Sequence, residues 1–599
     1  MASTACPVKL IVGLDYGTTY SGLGFALSTA ADFKDIITWT KYPGAFSHSA
    51  EHSVKAPTRI AFAEENPDLN CNVWGYQVEP GMRSCSLTKL LLDKSALLSD
   101  FDDCSVYDAS TNDLMRLPEG KSAKEVATEY LRQMYNMFEK SKKELFGSMN
   151  LDELPVEFWL TVPASWSEKA KLLTKAAAME AGFGNRVIDR VMLISEPEAA
   201  AQYTLKSSFH HLETFVQKNT GVMVCDCGGG TVDITTYEIE QVQPLLKLRE
   251  IAVGIAGKCG ATYVDRNFFK LMADRFGEAF TDLDPEQIGP GSTFMNQFEQ
   301  RKKDFSYGNI SRRAHRIPLF MPALKYTSRT ETFYEKRSSS ILLTHGDLMD
   351  IFRPVVKRIL LLIEDQVYRT KEKGETPIGT IVLVGGFASS PYLRESIQDW
   401  CDENEMRLTT PMSGAWSAIV CGAVLRGLEG SIVREKKCRR HYGTELGQRY
   451  IPAQHENYDR SKRRVYIHAF YNHEYLDGFL HWQISKGEKI DKDTEINVNI
   501  YASVKRTQTH SREVKLYSCN LDTAPESIES PRVELVGKLI YNLTEEHISR
   551  GKKKIHGSVT CYRIPLVVNV RLNDEAGHLV YRVLQDGEEI GKANILLDD

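Results

Sequence analysis

Residues 222–233 read Val-Met-Val-Cys-Asp-Cys-Gly-Gly-Gly-Thr-Val-Asp, and 234–239 continue Ile-Thr-Thr-Tyr-Glu-Ile. An apolar run that ends in an acid, three glycines, a hydroxyl and a second acid, followed by another strand-like run, predicts a β-hairpin with a polar tip. Gly228, Gly229 and Gly230 permit positive φ and keep side chains out of the turn, so successive backbone N–H groups converge on an anion. Asp226 repels a bare phosphate. An acid beside such a cradle therefore implies an intervening cation, most simply Mg²⁺ with its waters. Taken alone, the stretch also fits an ordinary Gly-rich hairpin.

The construction recurs near the N-terminus. Residues 10–21 read Leu-Ile-Val-Gly-Leu-Asp-Tyr-Gly-Thr-Thr-Tyr-Ser, and 22–27 continue as a strand. Two such hairpins, ending in Asp15 and Asp226, suggest two similarly built lobes facing each other across a nucleotide. A third apolar strand, 381–384, runs into Gly385, Gly386 and Phe387, where a turn without side chains lets an adenosine approach the backbone. Glu196 follows the apolar run 191–194 and precedes Pro197. It therefore sits at a strand end, where α/β folds collect their sites.

This inventory suits phosphoryl transfer to water, which needs positioning and charge compensation more than covalent help. Backbone N–H groups of both hairpins and the hydroxyls of Thr18, Thr19 and Thr231 are expected to hold phosphate oxygens. Asp15 and Asp226 are expected to bind Mg²⁺ mainly through its waters. Glu196 and Asp226 are the groups placed to orient or deprotonate a water.

The chain has 599 residues, too many for one core, so several domains are expected. Its hydrophobic content of 42%, charged content of 26% and net charge of −5 are those of a globular protein, with no demand for nucleic acid or an anionic membrane. The first apolar run, 8–14, is too short for a signal segment, and no run reaches the roughly 18 residues of a spanning helix. The expectation is a cytoplasmic chain, with the nucleus as the alternative. The 12 cysteines lack framework spacing and are read as reduced thiols.

Four segments, 15–19, 194–201, 226–233 and 383–387, occur in an order that resembles the ATPase domain of the seventy-kilodalton heat-shock chaperone family. More broadly they resemble the actin, hexokinase and heat-shock superfamily. The likeness covers about residues 8–430 and is greatest to the divergent, lidless branch common in fungi. It implies an α/β two-lobed actin-like ATPase domain, a duplicated ribonuclease H-like fold, over 8–432 after a flexible tail at 1–7. An all-β sandwich without a helical lid would follow over 443–599. By resemblance, Lys89 in the run 87–93 points into the cleft and offsets charge on the γ-phosphate. Glu299, Lys302, Lys303 and Ser306 match the helix that holds the adenosine, while Gly17 and Tyr20 complete the first phosphate turn. The implied cofactors are ATP or ADP and Mg²⁺. The implied partners are a client protein or peptide and a co-chaperone or nucleotide exchange factor, with no nucleic acid and no membrane.

Several positions depart from the family pattern. Lys171 stands where an arginine couples nucleotide state to the neighbouring domain, and it lacks the planar fork. Trp416 replaces an acid near the adenine pocket, and Cys259 precedes Gly260 where a glycine pair is expected. The segment 433–442 is basic where the chaperones have an apolar, acidic linker. Ser122 and Glu125 form a capping box, Ser165 and Glu168 suggest another, and 254–265 is read as a loop leading into a helix. Three functions remain open: a slow ATP-driven chaperone-like switch, a nucleotide-binding docking protein with little coupled ATPase, and a small-molecule kinase.

Overall fold

The computed structural model describes residues 8–45, 54–93, 116–146, 153–207, 217–243, 245–308, 313–411, 415–455, 465–505, 511–573 and 578–595. The expected tail at 1–7 lies outside them. The chain forms two compact units, Met1–Val433 and Arg434–Asp599.

The first unit carries two mixed sheets of one plan. In the first, β1 (Leu10–Asp15) pairs antiparallel with β2 (Tyr20–Leu27) and parallel with β3 (Val156–Val162), which pairs parallel with β4 (Arg190–Ser195). In the second, β5 (Gly221–Cys227) pairs antiparallel with β6 (Val232–Gln241), which continues to β7 (Lys247–Gly257). On its other edge β5 pairs parallel with β8 (Ile378–Val384), which pairs parallel with β9 (Arg407–Thr409). β1 and β5 are buried along their whole length, which is why both read as unbroken apolar runs.

Helices close the layers. The expected capping box at Ser122 and Glu125 opens α1 (Ala123–Leu145). The next cap is Ser167, not Ser165, at the head of α2 (Glu168–Ala181). Asp93 fixes this choice, accepting from both the backbone N–H and the hydroxyl of Ser167 at 3.0 Å. α3 (Glu196–Ser207) and α7 (Ala418–Glu429) are almost fully buried. They share one apolar cluster with Ile11 of β1, Val222 and Val224 of β5 and Val382 of β8, so a common core joins the two sheets. Each such side chain contributes about 1.5–3 kcal/mol by leaving water. Residues 254–257, expected in a loop, belong to β7, and α4 (Thr262–Phe276) begins earlier than expected, within the same stretch. α5 (Thr293–Asp304) and α6 (His345–Glu372) complete the second lobe.

The second unit is β-rich. A ten-stranded sheet runs from Val465–Ile467 to Glu495–Lys505, and all its recorded pairings are antiparallel. Tyr442 and Ile484 from one part of this path and Ile500 and Val504 from its far end share one core, so the sheet curls over on itself. The stretch expected as a basic linker is instead taken up by two strands, β10 (Val433–Lys437) and β11 (His441–Arg449), and the three residues between them. Their charge misleads because it is used internally. Arg440 is buried and donates to Ser518 Oγ at 3.1 Å and Glu534 Oε2 at 2.7 Å. Glu435 pairs with Lys489 at 3.1 Å. No described helix is long and apolar enough to cross a membrane, and every described cysteine is a free thiol.

Candidate functional site

The tips of the two hairpins meet in the first unit. A Cβ on Gly229 would lie 2.1 Å from Thr19 Oγ1, and one on Gly230 would lie 2.7 Å from Thr18 Cγ2. Neither glycine, nor Gly17 or Gly228, has positive φ, contrary to expectation. A Cβ would meet the threonine side chains of the facing hairpin at Gly229 and Gly230, and a carbonyl oxygen of the same turn at Gly17 and Gly228, so the exclusion is steric and the turn needs no left-handed residue. Gly385 does need it, with φ +90, and a Cβ there would lie 2.4 Å from Asp226 Oδ1.

Around this junction lies an open cleft. The first hairpin supplies Asp15, Gly17, Thr18, Thr19 and Tyr20, and the second supplies Asp226, Gly228, Gly229 and Thr231. Lys55, Lys89, Glu196, Gly385, Gly386, Trp416 and Ile419 complete the wall. Gly230 and Phe387 do not line it, and Phe387 belongs to the apolar core of the second lobe.

Three carboxylates, Asp15, Glu196 and Asp226, and two ammonium groups, Lys55 and Lys89, share the floor. Lys89 projects from the short 3-10 helix Thr88–Leu92. Before it, Leu87 adopts a left-handed conformation with φ 58, a locally strained state for a branched side chain. Lys89 Nζ lies 2.5 Å from Glu196 Oε1, and Lys89 is 2% exposed. Burial pushes Glu196 up to about 7 although Lys89 opposes the shift, and Asp15 and Asp233 push in the same direction as burial. Burial also raises Asp15, but Lys55 and Lys89, with hydrogen bonds from Lys55 and Thr161, outweigh it and hold that carboxyl below its usual value.

Asp226 is the exception. It faces Asp233 directly across the hairpin, a like-charge pairing that costs stability. Asp233 accepts from Ser165 Oγ at 3.1 Å, whereas Asp226 Oδ1 is buried without a hydrogen-bond partner among the described residues. Burial, then Glu196, Asp233 and Asp15, hold the Asp226 carboxyl well above its ordinary range. A cation beside it would relieve both the repulsion and the orphaned oxygen. Among the described residues no group of three or more His, Cys, Asp or Glu side chains could hold a metal directly. The fit is therefore to a cation that keeps most of its water.

The expected adenosine helix is partly committed elsewhere. Lys302 is buried and bridges Asp265 at 2.7 Å and Glu299 at 2.5 Å, while Lys303 lies 3.6 Å from Glu299. α5 ends at Asp304, so Ser306 is off the helix and not on its face. None of the four lines the cleft. Glu299 and Lys302 lie within electrostatic reach of Tyr20, whose hydroxyl burial pushes up to about 12. Trp416 stands closer, with its ring centroid 5.0 Å from that of Tyr20 and its indole N–H donating to Ser389 Oγ at 3.0 Å.

Sequence reasoning missed Lys55 and Thr161. Both reach Asp15, Lys55 Nζ to Oδ2 at 2.5 Å and Thr161 Oγ1 to Oδ1 at 2.8 Å. Thr161 carries a faint signal, as a polar residue in the apolar run of the strand parallel to β1. Lys55 carries none, because its role depends on Ala56–Pro57 pairing with Tyr20 and Ser21.

A family model described as Hsp70 protein matches residues 122–432. Human heat shock 70 kDa protein 12B is 27% identical over 518 residues, spanning 75% of this chain and 72% of that protein. Mouse heat shock 70 kDa protein 12A is 23% identical, spanning 74% and 73%. The chaperone protein DnaK of Thermoplasma volcanium is 27% identical over 302 residues, spanning 50% of this chain and 44% of its own.

Proposed function

The chain belongs to the Hsp70 protein family, and from that premise we propose that its cleft binds ATP or ADP with Mg²⁺, hydrolyses ATP slowly and thereby controls protein or peptide binding by the β-rich unit. A nucleotide-binding, chaperone-like function is what the family relationship supports. The family implies an actin-like two-lobed fold, and the two sheets of one plan support reading it as a duplicated ribonuclease H-like core. The observation that carries the reading is the meeting of two Gly-Thr hairpin tips over one unpartnered buried carboxylate, Asp226.

The roles follow from position. Backbone N–H groups at the hairpin tips and the hydroxyls of Thr18, Thr19 and Thr231 bind phosphate oxygens, and Lys89 supplies positive charge to them. Gly385 and Gly386 give the nucleoside an approach without side chains. Glu196 accepts hydrogen bonds from the attacking water and takes its proton, because a carboxyl raised to about 7 is matched to neutral pH. Bound Mg²⁺ would offset the charge of the phosphates. Calorimetric titration with ADP and ATP tests the reading at its base: binding in the micromolar range or tighter supports it, and no heat with either nucleotide refutes it.

A second reading, a docking protein with little coupled ATPase, rests on two observations. Lys171 is engaged by Glu168 within its own helix at 2.9 Å, and strands Val433–Lys437 and His441–Arg449 take up most of the expected linker. Peptide affinity measured with ATP, ADP and no nucleotide separates the two. A switch requires the three values to differ, and a docking module requires them to agree.

A further inference from the structure

Asp15 and Asp226 lie at the tip ends of equivalent strands in equivalent hairpins, yet they are not equivalent acids. Asp226 keeps an oxygen without a partner. Both oxygens of Asp15 are engaged, by Lys55 and by Thr161. Where the hairpin chemistry calls for a cation, Asp15 already has one.

That ammonium is built in. Lys55 is 8% exposed and Asp15 is 2% exposed. The main chain beside Lys55 is pinned by pairing of Ala56 and Pro57 to β2, and its carbonyl accepts from Tyr76 Oη at 2.9 Å. Its aliphatic stem lies over Gly22, the residue opposite Asp15 in the β1–β2 ladder. A Cβ there would come within 2.9 Å of Lys55 Cγ. Among the described residues Asp15 is the recorded hydrogen-bond acceptor of Nζ. An ammonium has three donors, and Lys55 lines the same cleft as Thr18, Thr19 and Gly229.

We propose that Lys55 is a resident cation of the nucleotide site. Its ammonium neutralises Asp15 and offers its remaining N–H groups to the polyphosphate, leaving Asp226 as the carboxylate that holds a hydrated metal. The inference rests on the nucleotide reading above and deepens it. A site with one cation fixed in the chain loses less affinity when the soluble metal is withdrawn than a site whose two acids both depend on it. A buried pair serving structure alone would leave that dependence untouched.

The test is the dissociation constant of ADP for the full chain, measured by calorimetry in excess MgCl₂ and in excess EDTA. The ratio of the two constants is the metal linkage. For the native chain we expect a ratio below about tenfold, and for Lys55→Met a ratio at least about tenfold larger, arising mainly from weaker binding in EDTA. Lys55→Met leaves Asp15 buried and unpaired, so the charge-balanced Lys55→Met/Asp15→Asn chain is measured beside it and judged by the same criterion if the single variant does not fold. A native ratio above about a hundredfold, or a ratio that neither substitution raises by about tenfold, overturns the inference. ADP binding with an unchanged ratio defeats this inference alone. No ADP binding in either medium defeats the nucleotide reading and this one with it.

Discussion

Asp226 reaches the cleft with one carboxylate oxygen buried and unpartnered and with Asp233 opposite it on the neighbouring strand. Held well above its usual range by burial and by surrounding acids, it destabilises the empty protein whenever it is ionised. Asp226→Asn is therefore expected to stabilise the nucleotide-free chain in EDTA at neutral pH by about 1–3 kcal/mol. The gain should shrink as pH falls and the native carboxyl takes up its proton; thermal melts at several pH values check this. Lys89 makes the opposite demand. Removing it leaves Glu196 buried near Asp15 and Asp233, so Lys89→Met should cost about 3–5 kcal/mol. Lys89→Met/Glu196→Gln should recover most of that loss. Measured beside Glu196→Gln alone, the double variant separates the two roles of Lys89: a further loss of ATP hydrolysis at equal stability assigns Lys89 to catalysis. Hydrolysis equal to that of Glu196→Gln would show that Lys89 acts only by keeping the site folded.

At the scale of elements, contact between the hairpin tips decides the site. Gly229→Ala places a Cβ against Thr19 and is expected to cost about 1–3 kcal/mol by overpacking and to weaken ADP binding. Thr19→Ala removes the two nearest atoms, so the pair should recover part of the lost stability, which denaturant unfolding measures; no recovery would place the strain elsewhere. Both hairpins could be read in the sequence because their signals are local: an apolar run, an acid, glycines and hydroxyls within a dozen residues. What those glycines accommodate could not, since the partner of Gly229 lies in the other hairpin. The same limit hid Lys55, which gains meaning only when Ala56–Pro57 pairs with β2. It also hid β10 and β11, since the basic stretch looks solvated until Arg440, between the two strands, is seen buried against Glu534. Ser167 displaced Ser165 as a helix cap for a related reason, because Asp93, distant in sequence, holds it.

At the scale of the molecule, the chain joins a two-sheet α/β unit bearing the cleft to a β-rich unit with its own core. Each core is large enough to be expected to unfold cooperatively. Saturating ADP should therefore protect residues 8–433 from limited proteolysis, to a degree set by ligand binding to the folded state alone. Equal protection of residues 434–595 would mean that nucleotide occupancy reaches the β-rich unit, as a switch requires; protection confined to the first unit would favour the docking reading. The central claim, a working if slow nucleotide clock in the cleft, is tested most directly by single-turnover hydrolysis of Mg-ATP by the full chain beside Asp226→Asn. The account expects slow conversion of bound ATP to ADP by the native chain and a loss of at least about a hundredfold in the variant, which still binds ADP. Undiminished turnover in Asp226→Asn, or no turnover by a native chain that binds ATP, would contradict it.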